Sequence, residues 1–151
     1  MNWQKFYNPI VLSLLHSPLH RLLDGQTLAI TVTGRRSGRA YTIPVSYLRD
    51  GENLLVISEK DRTWWKNLRS GAPVTVFLHG YRLQARGEAF VDLDRVSKLL
   101  LVIMQHAPAY QRLLHVKLDA SGHPEDAEAL KHLAQEHVVI LLKGLAAAQA
   151  A

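Results

Sequence analysis

The pattern of apolar and polar positions predicts a mainly β protein with helices at both ends and between strands. Short runs rich in β-branched residues recur through the middle of the chain, and turn signals such as Asp50-Gly51 and His79-Gly80 separate them. These runs predict strands over 27–33, 41–48, 53–58, 74–78, 81–91 and 137–142. Short strands joined by tight turns are typical of an antiparallel barrel or sandwich rather than of βαβ units.

Helical spacing predicts the remaining elements. Residues 1–23 form an amphipathic segment that Pro18 bends or ends. Thr63 and Gly71 bracket a short helix as N-cap and C-terminal stop. Further helices are predicted over 94–105, 107–114 and 124–135, and residues 144–151 are expected to be a frayed tail. The whole, residues 1–151, is predicted to be one domain built on a barrel of about six antiparallel strands.

The composition excludes several kinds of catalytic and metal site. The chain has 151 residues and no cysteine, which excludes disulfides, Cys-ligated metals and Cys nucleophiles and fits a reducing cytoplasm. Its longest uncharged N-terminal run has 15 residues, which is short of the roughly 20 apolar residues of a transmembrane helix. No export signal is recognisable, so we expect a cytoplasmic location.

The charge balance indicates an anionic partner. Lys and Arg number 18 against 13 Asp and Glu, for a net charge of +5. Residues 35–69 hold eight of those 18 basic side chains, where an even spread would place about four. The basic excess therefore lies in one stretch of the chain.

The strongest local signal is TGRRSGR, from Thr33 to Arg39. Its two glycines allow a tight loop whose N–H groups turn toward one anion, and its arginines and serine add donors. A solvated hairpin tip would have the same composition, so both interpretations stay open on the residues alone.

Two aromatic sites are further candidates. On an α-helix, Trp64 and Trp65 would project about 100° apart, so both cannot face a core equally well. One of them is a candidate wall for a flat ring, with Asn67 as an amide partner, although both could be packing residues. Tyr110 is a candidate proton donor or a half-buried core residue.

No common catalytic or metal motif is present. The chain lacks GxxxxGK[ST], GxGxxG, HExxH and GxSxG. His16, His20 and Asp24 have helical spacing, but Pro18 should distort their shared face. We therefore expect no metal site.

Three stretches in this order resemble the deazaflavin-dependent nitroreductases, which belong to the flavin/deazaflavin oxidoreductases of split β-barrel fold. They are NPIVLSLLHSPLHRLL at Asn8–Leu23, TVTGRRSGRAYTIPVSYLRDG at Thr31–Gly51 and SEKDRTWWKNLRSGAPVTV at Ser58–Val76. The resemblance implies an FMN-binding split-barrel-like fold. It also implies an oxidoreductase that transfers a hydride from the reduced deazaflavin coenzyme F-420 to a small organic acceptor, such as a quinone or nitro compound.

The same resemblance assigns site residues. The basic loop, mapped here to Arg35, Arg36, Ser37 and Gly38, would hold the phosphate and acidic tail of F-420. The residues that surround the deazaflavin ring in the family would correspond here to Pro44, Val45, Ser46, Ser58, Trp64, Trp65 and Asn67. Tyr110 would be the catalytic tyrosine near the substrate. Where the family has a lysine directly after the serine, this chain has Glu59, and Lys60, one position later, is the candidate cofactor-binding lysine.

Other functions compete with this one. The same barrel could bind FMN, whose tail carries no glutamates and leaves the wider basic excess unexplained. A basic barrel with aromatic residues could bind single-stranded nucleic acid, but the tryptophans are clustered rather than spread over a sheet, so we expect no nucleic-acid partner. The N-terminal segment could add peripheral membrane contact, and related barrels often form homodimers.

Overall fold

The computed structural model of the protein describes residues 27–78 and 80–147. Within these residues, six strands close into an antiparallel barrel in the order β1-β2-β3-β6-β5-β4. They are β1 Thr27–Thr33, β2 Ala40–Asp50, β3 Asn53–Glu59, β4 Ala72–Leu78, β5 Tyr81–Phe90 and β6 His137–Ala147. The predicted barrel of about six antiparallel strands is confirmed.

Strands β3 and β6 separate two apolar cores. Leu54 and Val56 point into the barrel, whereas Leu55 between them packs under the helices on the outer face. On β6, Ile140 likewise points into the barrel, and Val139 packs under the helices. Because side chains alternate across a strand, a strand buried on both faces has an unbroken apolar sequence, which is why HVVILL lacks polar alternation.

Over residues 27–147, the part of the chain that the structure describes apart from residue 79, four helical segments accompany the barrel. They are a 3-10 helix at Trp64–Leu68, α1 Leu93–His106, α2 Ala109–Leu114 and α3 Ala127–Glu136. Helix α1 begins after Asp92, whose carboxylate accepts a hydrogen bond from the Arg95 N–H at 3.0 Å. Helix α2 begins after Pro108, two residues later than the predicted start at residue 107. None of the described helices has the length and apolar character needed to span a membrane.

Several expected boundaries are wrong, and three of them have a clear physical reason or consequence. Helix α3 begins three residues later than predicted, because the Asp126 side chain caps it through the N–H groups of Glu128 and Ala129. The segment expected over 63–70 is a single 3-10 helix that the Thr63 side chain does not cap. Strand β6 continues to Ala147, and Ala146 and Ala147 pair with β5 beyond a register shift, so this part of the expected frayed tail is a strand. The predicted N-terminal helix, its membrane contact and its histidines lie outside the described residues.

The barrel opens locally between β2 and β3. Their ladder runs from the Asp50–Asn53 pair only as far as the Tyr47–Val56 pair. Beyond it, residues 40–46 of β2 pair with β1, and residues 57–59 of β3 pair with β6. The two strands therefore diverge, and the space between them is the mouth of a cleft.

Candidate active-site cleft

The cleft has a volume of about 700 Å³ and lies between the diverging strands and helix α2. Strand β2 contributes one wall, β3 and the loop after it contribute the other, and α2 lies over both. The lining residues are Ile43, Pro44, Val45, Ser46, Ile57, Ser58, Glu59, Arg62, Trp64, Tyr110, Leu113, Leu114 and His137. Ligand sites in proteins commonly have volumes of about 300–1,000 Å³, so a small heterocyclic molecule fits.

The β2 wall presents a strand edge to the cleft. On this stretch β2 pairs with β1 on one side, and β3 has already diverged on the other. Pro44 lies on this edge and has no N–H to donate. Proline is tolerated in a sheet at an edge position, where no neighbouring strand needs a hydrogen bond from its nitrogen. A flat ligand in the cleft can therefore meet backbone polar groups along this edge.

Trp64 forms the base of the opposite wall, and hydrogen bonds hold its ring in place. Its indole N–H donates to Ser58 Oγ at 3.0 Å, and the Ser58 hydroxyl donates to the Glu59 carbonyl at 3.2 Å. Trp64 is 6% exposed and still lines the cleft. The ring is therefore a fixed apolar surface rather than a side chain free to rotate.

Trp65 does not line the cleft. It is 1% exposed, its indole N–H donates to the Lys60 carbonyl at 3.3 Å, and the Arg69 guanidinium lies 5.2 Å from its ring centre. The 3-10 helix that carries both tryptophans packs against β1, β5 and β6, strands from opposite sides of the barrel. Because barrel walls surround this helix on several sides, both tryptophans are buried. Trp65 is a packing residue, and Trp64 is the one of the pair that lines the cleft. Trp65 therefore presents no ring face to a ligand, whereas Trp64 presents one to the cleft.

The basic loop satisfies much of its own backbone. The Gly34 N–H donates to the Arg39 carbonyl at 2.8 Å, the Gly38 N–H donates to Gly34, and the Arg39 N–H donates to Ser37 Oγ. Gly38 has a φ of +70°, a conformation that glycine adopts without strain. The loop therefore offers an anion the N–H groups of Arg36 and Ser37 and its arginine side chains, rather than the whole run of N–H groups that the sequence suggested.

Asn67 joins this loop to the tryptophan segment. Its Oδ1 accepts from the Arg35 N–H at 2.8 Å, while its Nδ2 donates to Tyr41 Oη at 2.6 Å and to the Trp64 carbonyl at 3.0 Å. Burial raises the pKa of the Tyr41 phenol, and the bond from Asn67 partly offsets that effect. Asn67 is thus a link between the loop and the cleft wall rather than a lining residue.

A second groove of about 500 Å³ extends the cleft toward the basic loop. It is lined by Tyr41, Ile43, Glu59, Asp61, Arg62, Thr63 and Trp64, and four of these residues also line the cleft. Tyr41, at its outer end, is connected through Asn67 to the backbone of Arg35. The loop is exposed and none of its residues lines the groove, but Asn67 connects the loop to Tyr41 of the groove.

Tyr110 reaches the cleft from α2. It is 9% exposed, and burial raises the pKa of its phenol, so the hydroxyl keeps its proton at neutral pH. It can donate a hydrogen bond to a ligand in the cleft without carrying a charge.

The structure thus brings together only part of the expected set. Pro44, Val45, Ser46, Ser58, Trp64 and Tyr110 line the cleft. The loop residues Arg35, Arg36, Ser37 and Gly38 do not line it, Lys60 lines a separate recess with Glu136, and Trp65 lies in the core. No group of three or more His, Asp or Glu side chains in the described part of the chain is arranged to hold a metal ion.

Several lining residues were not anticipated from the sequence. They are Ile43, Ile57, Glu59, Arg62, Leu113, Leu114 and His137, with Tyr41 in the second groove. Arg62 was visible only as part of the basic excess, and His137 had no local signal, since it follows a surface helix. The exposed Leu113 offered one available clue, because a leucine 60% exposed beside a cleft is a candidate ligand contact.

Replacing Asn67 with alanine should loosen the basic loop. The substitution removes three hydrogen bonds at once, and at about 0.5–1.5 kcal/mol each we expect a loss of roughly 1.5–4.5 kcal/mol in stability. Hydrogen exchange at the Arg35 amide should accelerate. Asn67→Asp keeps the acceptor for that amide, so the Arg35 amide should exchange more slowly in this variant than in Asn67→Ala. Equal exchange rates in the two variants would contradict this role of Asn67.

Comparisons with known proteins give a family. Residues 15–116 match the family model described as F420H(2)-dependent quinone reductase. No curated protein matches the chain in sequence.

Similar solved structures share little sequence with the chain. An F420 reductase has 16% identity and a TM-score of 0.44, and the match covers 86% of this chain and 97% of that one. The FAD- and heme-binding protein from Mycobacterium smegmatis has 16% identity and a TM-score of 0.49, with 82% and 63% covered. The heme storage protein HutZ from Vibrio cholerae has 13% identity and a TM-score of 0.49, with 82% and 87% covered.

The family match covers about two-thirds of the chain and includes the basic loop, both cleft walls and Tyr110. The chain therefore belongs to the F420H(2)-dependent quinone reductase family, it is an oxidoreductase, and its cofactor is coenzyme F-420.

Proposed function

We propose that this protein reduces a quinone, or a small organic acceptor of similar shape such as a nitro compound, within the cleft between β2, β3 and α2. The observation that carries the proposal is the divergence of β2 from β3 beyond the Tyr47–Val56 pair, which opens a cleft walled by Trp64. Such a cleft suits two flat molecules in contact, the arrangement that direct hydride transfer requires.

The chain's residues fit coenzyme F-420 in three respects. The cleft supplies an apolar wall at Trp64 and a strand edge at Pro44–Ser46 for the ring. The second groove leads from there toward the basic loop. The Arg36 and Ser37 N–H groups and the arginine side chains at its outer end suit the phosphate and carboxylates of the tail. When bound, the reduced coenzyme supplies the hydride.

The remaining groups of the site position the acceptor and exclude water. Leu113 and Leu114 of α2 cover the cleft opposite the strands. Tyr110 can donate a hydrogen bond to an acceptor oxygen, since its phenol remains protonated at neutral pH. Donors that face an oxygen on which negative charge develops stabilise the transition state more than the ground state.

The direct test is a titration of the purified protein with F-420 and, separately, with FMN, followed by fluorescence quenching. We expect saturable binding of F-420, and oxidation of reduced F-420 when menadione or a nitroaromatic compound is added. Tight binding of FMN with no response to F-420 would overturn the proposal. Comparing the two acceptors under the same conditions decides between quinone and nitro reduction.

Arg36→Ala should weaken F-420 binding by roughly 10- to 100-fold. A charge-assisted hydrogen bond contributes about 1.5–3 kcal/mol, and each 1.4 kcal/mol is about tenfold in affinity. Thermal stability should stay nearly constant, because the side chain is exposed. Arg49→Ala is the matched control, an exposed arginine at the opposite end of β2. A folding defect in Arg36→Ala, or equal loss of affinity in both variants, would contradict an anion-binding role for the loop.

A further inference from the structure

His137 is a titratable group in the cleft that the proposed site does not yet use. It lies at the junction between α3 and β6, is half-buried, and lines both the cleft and the adjoining recess. Its side chain therefore has access both to a ligand in the cleft and to the surface recess.

The hydrogen bonds of His137 define its tautomer. Nδ1 lies 2.9 Å from the carbonyl oxygen of Leu133, one turn earlier on α3. A carbonyl oxygen only accepts, so Nδ1 carries a hydrogen. In the neutral ring, Nε2 is then unprotonated and free to take up a proton and give it to a ligand.

Neighbouring backbone contacts hold the residue in position. His137 pairs in register with Glu59 in the ladder between β3 and β6, and the Lys60 N–H donates to the Glu136 carbonyl at 2.8 Å. The sheet thus fixes the backbone of His137, and a hydrogen bond to helix α3 fixes one nitrogen of its ring. Such support from surrounding groups is what a proton donor needs to reach a bound molecule reproducibly.

The other polar groups of the cleft are poorer proton sources near neutral pH. The Ser58 hydroxyl already donates to the Glu59 carbonyl. Burial raises the pKa of Tyr110, so that phenol gives up its proton reluctantly. Arg62 remains charged and does not transfer a proton. An imidazole exchanges protons in this range.

The charged and titratable groups around the imidazole come from four elements. They are Glu59 of β3, Lys60, Asp61 and Arg62 of the following loop, Tyr110 of α2 and Glu136 of α3. The Glu136 carboxylate lies 3.2 Å from His132 Nε2 on the exposed side of its helix. Acidic and basic groups both border the recess, which gives the imidazole a polar route to solvent.

We propose that His137 protonates the reduced acceptor from Nε2, an inference that rests on the proposed function. A quinone that receives a hydride gains two electrons and one hydrogen, while the deazaflavin is oxidised by two electrons. The Nε2–H bond of the imidazolium breaks and the O–H bond forms as the hydride arrives, so that the neutral hydroquinone forms without a free monoanion. The imidazole takes a proton back from water through the recess, so charge and atoms balance.

The decisive variant is His137→Asn. Its amide nitrogen can occupy the place of Nδ1 and keep the bond to Leu133, but it has no proton to transfer. We expect F-420 affinity within about twofold of wild type and a fall on the order of 100-fold in the single-turnover rate of menadione reduction, the usual scale of general acid catalysis. The wild-type rate should fall as pH rises, because the step consumes a proton, and this dependence should vanish in the variant.

The matched control is His132→Asn, the same substitution on the exposed face of α3 outside the cleft. It should leave rate and pH profile unchanged. Menadione reduction by His137→Asn at the wild-type rate would overturn the role of His137 and leave the proposed function standing. A wild-type protein that binds no F-420 would overturn the proposed function instead.

A second readout does not depend on turnover. Long-range proton–nitrogen NMR spectra of the free protein report the tautomer of each imidazole, and the signal of His137 is the one lost in His137→Asn. We expect a protonated Nδ1 and an unprotonated Nε2 at high pH. The opposite tautomer would overturn the inference, because Nε2 would then not be the nitrogen that takes up and releases the proton.

Discussion

Replacing Trp65 with alanine should lower the free energy of unfolding by about 3–5 kcal/mol. The indole is 1% exposed and belongs to the core inside the barrel, so its removal leaves a cavity that the surrounding strands cannot fully close. A domain of this size has a total stability of about 5–15 kcal/mol, and the variant would lose a large share of it. Differential scanning calorimetry should show a melting temperature lower by roughly 6–20 °C.

Trp64→Phe is the informative comparison. It keeps an aromatic ring but loses the 3.0 Å hydrogen bond to Ser58, so a smaller destabilisation of about 1 kcal/mol is expected. Its effect on F-420 binding should exceed its effect on stability, because Trp64 lines the cleft and Trp65 does not. If Trp65→Ala unfolds no more readily than Trp64→Phe, the division of the pair into a core residue and a cleft wall is wrong.

Ser46→Trp should abolish measurable F-420 binding while the barrel still folds. Ser46 lies on the cleft edge of β2, and an indole there would occupy the space proposed for the ring. A site that encloses most of a ligand's surface has no room for an added indole. We therefore expect F-420 affinity to fall on the order of 100-fold or more, which is at least about 2.7 kcal/mol of binding free energy. The measurement is the same fluorescence titration, with circular dichroism to confirm folding.

Gln84→Trp supplies the control for this experiment. Gln84 is an exposed position on β5 that lines none of the grooves described for the site, so the same side chain is added to a strand without filling the cleft. Tryptophan is favourable in strands, so neither substitution should prevent pairing. Unchanged F-420 affinity in Ser46→Trp would place the coenzyme outside the cleft and remove the basis of the proposed function.

Local chemistry was sufficient to predict much of the fold. The run TLAITVT predicts β1, and HVVILL predicts the buried part of β6, because each pattern has few structural alternatives. Pro108 predicts the start of α2 for the same reason. Asp126 could have been recognised as the cap of α3, yet Pro124 also suits a first helical turn, and only the observed bonds from Asp126 to Glu128 and Ala129 decide between them.

The site was less predictable, because its residues meet through long-range pairing. Sequence alone could nominate Pro44 and Ser58, but their position across one cleft depends on where the β2–β3 ladder ends. Trp64 lines the cleft and Trp65 lies in the core because their helix packs against strands β1, β5 and β6, which are far apart in the chain. His137 is brought beside Glu59 by a strand pairing that spans 78 positions of sequence.

The sequence by itself determined that this protein is a small basic barrel with an arginine-rich loop, because strand patterning, turn residues and charge clustering are local properties. Only the tertiary structure decided which of its polar and aromatic side chains share a cavity. Closing the barrel and parting β2 from β3 places Tyr110, His137 and Trp64 around one space, and it leaves the arginine-rich loop outside that space. That selection follows from strand register and packing, which no single segment of the chain encodes.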